Sequence, residues 1–158
     1  MTNDEARSID ERQWRWLLND LLCNCAAASR GDSAELLSEA YALLSIAPRS
    51  VGLLVGELPG GQHYEALLAL EAFESAAILL LGDRVGYMLS SGPNGASLAS
   101  IILPDMHDDV CAEGVTAGLA LLTAFAAALL QGEAKANSPA QVSEGAGVRL
   151  NSAIDFNE

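Results

Sequence analysis

Residues 84–103 read RVGYMLSSGPNGASLASIIL. Two apolar runs, Arg84–Ser91 and Ala96–Leu103, flank the turn Ser91-Gly92-Pro93-Asn94-Gly95. Asn-Gly between two such runs signals a β-hairpin, because both residues tolerate positive φ. An antiparallel pair at the centre of a chain whose flanks carry helical periodicity makes the fold class α+β.

Upstream of the hairpin, Trp14, Leu17, Leu18, Leu21, Leu22 and Cys25 recur along one continuous helical face, so a first helix is expected from about Ser8–Asp10 to Ser29. Gly31 suits the left-handed position past its end. Asp32 is expected to cap a second helix, with Glu35 completing a capping box; Leu36, Leu37, Ala40, Leu43, Leu44 and Ala47 form its apolar face, and Pro48 stops it. Residues 8–48 thus read as a helical hairpin. Val51–Leu58 reads as a short strand or an extended linker, and Pro59-Gly60-Gly61 as a break. Tyr64, Leu67, Leu68 and Glu71 predict a third helix over about Gln62–Ser75. Ala76–Leu81 is either a strand or the end of that helix.

Downstream, Asp105–Asp109 reads as a loop, Val110–Ala112 as a short strand and Val115–Leu130 as a last helix. That helix has a bulky stripe of Val115, Leu119, Leu122 and Leu129 and a small one of Thr116, Ala120, Thr123 and Ala127. Small residues permit close approach, so burial on two sides is expected, either inside the chain or at a self-association interface. The whole predicts one α+β domain over 1–132: the helical hairpin, then over 62–132 a small antiparallel sheet of two to four strands packed between helices. Residues 133–158 read as a polar tail that docks on a partner or, through the alternation of Val148, Leu150, Ile154 and Phe156, adds an edge strand.

The chain has 158 residues, 51% of them hydrophobic, which is enough to bury a core without staples. Its net charge of −13 is uneven: residues 1–49 carry −3, residues 50–133 carry −9 with Arg84 as the sole base, and the rest −1. A field of that sign repels phosphate backbones, so direct nucleic-acid binding is not expected, whereas a basic protein surface would be attracted. Cys23 and Cys25 are too close in sequence to pair ordinarily, and the polar start is no export signal, which points to a reducing, cytoplasmic setting. The longest charge-free apolar run, Val115–Leu130, is shorter than a bilayer crossing needs, so no membrane partner is expected.

No catalytic constellation stands out. Asp105-Met106-His107-Asp108-Asp109 concentrates ligand-type side chains, but its spacing fits no calcium loop and has no glycine at the bend. Cys23-Asn24-Cys25 lacks the C-x-x-C spacing of zinc and redox sites, and Cys111 has no base near it in sequence. No G-x-S-x-G elbow or phosphate loop is present. No metal, cofactor or catalytic residue is therefore assigned. Ile9, Trp16 and Cys23 recur almost opposite the main face of the first helix. A tryptophan there is either covered by the chain or open to a partner.

From Ala99 to Leu130 the text reads ASIILPDMHDDVCAEGVTAGLALLTAFAAALL. A strand, a short loop, a short strand, then Glu113-Gly114-Val115-Thr116 before an alanine-leucine helix resembles the phage-associated ABA-sandwich domain. In that family a helix, a three-stranded antiparallel sheet and a C-terminal helix form three layers. The strand's end in Pro104-Asp105 and Gly114-Val115-Thr116 opening the helix resemble the HicB-type antitoxins, which usually continue into a DNA-binding module where this chain has a small polar tail. The resemblance implies fold and a phage or prophage origin, and no catalysis.

The leading functional expectation is a non-enzymatic interaction or assembly protein that self-associates, with Ile9, Trp16, Cys23, Thr116, Ala120, Thr123 and Ala127 as candidate interface residues. The alternative is an acidic inhibitor, antitoxin-like, that occupies a basic nucleic-acid-binding surface of its partner. An enzyme assembled from distant residues stands third.

Overall fold

The computed structural model describes residues 9–136, and of 133–136 the backbone alone. Six helices and three strands follow in the order α1 (Glu11–Ala27), α2 (Ser33–Ser45), α3 (Arg49–Val55), α4 (Gly61–Ala69), α5 (Phe73–Leu81), β1 (Gly86–Ser91), β2 (Ser97–Ile102), β3 (Val110–Gly114) and α6 (Ala117–Ala136). The fold is α+β, with five of the six described helices ahead of the sheet and α6 after it.

α1 and α2 pack as the expected hairpin, joined by a 3-10 turn over Arg30–Asp32. The cap lies one turn earlier than the sequence suggests. Asp32 makes no side-chain cap to α2; its carboxylate accepts from the backbone N–H and the hydroxyl of Ser29, at 2.8 and 2.9 Å. Trp14 locks the pair, its buried indole N–H donating to the Leu43 carbonyl at 2.8 Å.

Two segments differ from their sequence expectation. Residues 51–58 contain no strand: Pro48 stands at the N-cap of α3, where its fixed φ and missing N–H cost nothing, and Gly56 ends the helix at φ 78°. The expected helix over 62–75 is two helices, because Glu71 adopts φ 55° and turns the chain between α4 and α5. Ala76–Leu81 accordingly belongs to α5 and not to the sheet.

The sheet is an antiparallel meander in the order β1-β2-β3. In the β1–β2 hairpin Gly86 pairs with Ile102 and Ser91 with Ser97, and Ser97 pairs onward with Gly114 of β3. The turn uses only one left-handed residue, Gly95 at φ 79°, and closes through Gly92 N–H to the Ala96 carbonyl at 2.8 Å. That is a three-residue loop built on Pro93-Asn94-Gly95, not the two-residue turn Asn-Gly alone would make.

α6 runs through the middle of the molecule. Its residues from Leu119 to Ala126, with Ala128 and Leu129, are buried all round. One side lies on β2 and β3; the other packs against α1 and α5, with α2 and α3 adding smaller contacts. A helix apolar on every side requires such an environment. The sheet is therefore covered on one face by α6, and the helical layer covers α6 in turn. The expected start of the tail at 133 moves, since α6 continues to Ala136; residues 137–158 lie outside the described residues.

Candidate functional site

The strand register sorts the sheet into two faces. Toward α6 point Tyr87, Ile101 and Val110, then Leu89, Ala99 and Ala112, then Ser91, Ser97 and Gly114. Away from it point Gly86 and Ile102, then Met88, Ser100 and Cys111, then Ser90, Leu98 and Glu113. This outer face is uncovered among the described residues. Met88 is 75% exposed, and Leu98 and Ile102 are exposed beside it. Apolar side chains grouped on one open sheet face are unlike the scattered exposed hydrophobics any surface carries.

Polar groups fix the face's far end. Asp109 precedes β3, and its carboxylate accepts from the Ser100 hydroxyl and, at 3.5 Å, from the Cys111 thiol. Those two hydrogen bonds hold its pKa below the usual carboxylate range. Because Ser100 pairs with Cys111, this carboxylate pins the β2–β3 register. His107, Asp109, Met88, Ile102 and Tyr87 border a shallow depression of about 390 Å3. The serine and the thiol both donate to one exposed carboxylate, whose lowered pKa makes it a weak base toward either. Among the described residues no three His, Cys, Asp or Glu side chains converge as a metal site.

A larger open groove, about 900 Å3, lies between the ends of α3 and α5 and is bordered by Leu53, Glu57, Ile78, Asp83 and Arg84. The Arg84 guanidinium donates to the Leu53 carbonyl at 3.1 Å, tying β1's approach to α3. Gly82 makes this closeness possible: at φ 71°, an added Cβ would lie 2.5 Å from the Val55 carbonyl oxygen.

The seven interface candidates divide. Trp16 is 66% exposed on the outer side of α1, between exposed Arg12, Asp20 and Cys23. Ile9 is half-buried and packs against the core, so it leaves that line. On α6, Ala120 and Thr123 are buried inside the chain. Ala120 backs onto the sheet: a Cβ on Gly114 would lie 2.4 Å from its backbone nitrogen. Thr123 donates to the Leu119 carbonyl at 2.6 Å and neighbours the Cys25 thiol, which burial pushes up to about 11. Thr116 and Ala127 are half-buried, and the Thr116 hydroxyl caps α6 by accepting the Leu119 N–H at 3.2 Å. Of the small stripe, Ala120 and Thr123 thus pack inside the chain, while Thr116 and Ala127 stay half-buried.

Met88, Leu98 and Ile102 were not singled out from sequence. Their signal was present: β1 and β2 are apolar at both odd and even positions, and a sheet with helices on one side only leaves one set uncovered. No helix among the described residues is long and apolar enough to cross a membrane. No protein family model, curated protein or solved structure matches this chain.

Proposed function

We propose that the chain is a non-enzymatic protein-interaction and assembly module that self-associates through the outer face of its sheet. The observation that carries this is the grouping of Met88, Leu98 and Ile102 on a face that no described residue covers. Six-residue strands about 3.3 Å per residue and three strands about 4.8 Å apart give a face of roughly 300 Å2. A stable interface needs about 800 Å2 per partner, so the contact extends past the strands onto the Asp105–Asp109 loop, or is transient. The likeness of residues 99–130 to a phage-associated domain supports a phage-related setting as part of the same proposal. Light scattering on the full chain tests it. The wild type is expected to form oligomers, and Met88→Glu with Leu98→Glu to weaken them at least about tenfold while leaving the thermal melt intact. A wild-type monomer that captures no partner sinks the proposal.

The acidic-inhibitor reading has its own support. The nine acids from Glu57 to Glu113 are all exposed, and Arg84 is the single base among them. That is a one-sign surface suited to a basic protein face.

A further inference from the structure

The two edges of the sheet are not alike. β3 carries Glu113 and is approached by Asp108 and Asp109, charges of the kind that discourage a further strand. β1, GYMLSS, carries no charge, no proline and no bulge, and among the described residues no strand lies beyond it. It is also the least covered strand. On the inner face Tyr87 is 44% exposed although its partner Ile101 is fully buried, because α6 lies over β2 and β3 and barely reaches β1. On the outer face Met88 stands open. The hairpin also fixes which backbone groups are free. Gly92 donates to Ala96 across the turn, so Ser90 and Met88, at alternate positions, turn their N–H and C=O groups toward β2. Those of Tyr87 and Leu89 face the open edge, a template for another strand.

β1 is complementary to itself. Antiparallel pairing about a two-fold axis perpendicular to the sheet keeps inner face with inner face, so odd positions meet odd and even meet even. Centring the pair on Met88 sets it beside Met88 of the second copy on the outer face. Tyr87 then falls beside Leu89 of the second copy on the inner face, and these two exchange both backbone hydrogen bonds. The least covered side chains of the strand thus cover one another. Charge selects the same seam. Two chains of −13 repel wherever acids face acids, whereas this register turns Arg84 toward the uncharged turn Gly92–Gly95 of the other copy. The joined sheet has six strands, and its outer face doubles to roughly 600 Å2, closer to the about 800 Å2 that a stable interface needs.

We infer that β1 pairs edge to edge with β1 of a second copy, making one continuous sheet per dimer. The inference rests on the self-association reading and adds to it a second contact, made by backbone groups. Amide hydrogen exchange on the full chain, at high and low protein concentration, decides it. The Leu89 amide is expected to exchange at least about tenfold slower in the concentrated sample, while the Met88 and Ser90 amides, held by β2, exchange alike in both. Tyr87→Pro removes an edge donor and leaves the β1–β2 ladder intact, so it is expected to abolish the difference at Leu89. Tyr87→Lys, a charge on the edge, carries the same readout should the proline variant melt. Exchange of Leu89 that is independent of concentration, or a difference that survives both substitutions, overturns the inference. Oligomers still seen by light scattering in that case leave the outer-face reading standing alone, whereas a monomer at every concentration removes both.

Discussion

Two tryptophans two residues apart have opposite fates, and the difference is fixed by the helical turn. Trp14 is buried, with its N–H on the Leu43 carbonyl; Trp16 points off the other side of α1. Trp14→Ala is expected to cost about 3–5 kcal/mol in a denaturant melt. Trp16→Ala is expected to stay within about 0.5 kcal/mol and to weaken only an association. A titratable group gives a second test at this scale. Burial raises the Cys25 thiol from 9.0 to about 11. Between those values the unfolded chain has lost a proton that the folded chain keeps, so stability falls as pH rises through that window. Cys25→Ala is expected to flatten that part of the stability curve, while the exposed Cys23 and Cys111 react with a thiol reagent in the native state. Tyr64, raised by burial beside the stacked Tyr41 and donating to the Leu37 carbonyl, steepens the decline at still higher pH.

Among the elements, those with strong periodicity or explicit turn chemistry were legible: the α1–α2 hairpin, β1 with β2, and α6. What escaped was set by single backbone conformations. Nothing in the composition of 51–58 distinguishes a short helix from a strand; Pro48 and Gly56 decide it as boundary residues. Nor does glutamate announce a left-handed φ, so the break at Glu71 between α4 and α5 was invisible. The candidate site was less legible still, because which face of a strand is uncovered depends on where the other elements land. Close approach of α6 to the sheet is itself testable. Gly114→Ala places a Cβ within 3 Å of the α6 backbone at Leu119 and Ala120, and is expected to destabilise by about 3 kcal/mol. Gly118→Ala meets the Phe73 backbone at 3.0 Å or more and is expected to cost less. Melts of the two variants check the order.

Over the whole molecule, a net charge of −13 means mutual repulsion in the compact state. Raising the ionic strength is expected to raise the melting temperature, since screening weakens that repulsion. The same salt separates the two functional readings. A complex made by Met88, Leu98 and Ile102 persists at high salt, whereas one made by the exposed acids dissociates. Sedimentation at low and high salt, with and without a basic partner protein, reads both effects.

The position of α6 also bears on how the protein comes into being. α1, α2, α3 and α5 and the three strands have α6 as their common neighbour, and α6 is made after all of them. A nascent chain that has emerged only as far as β3 holds two half-cores, each with its apolar side open to water. Completion of both awaits residues 117–130. The two half-cores are thus closed by one late docking event, and until α6 arrives the emerging chain presents the surfaces that chaperones bind.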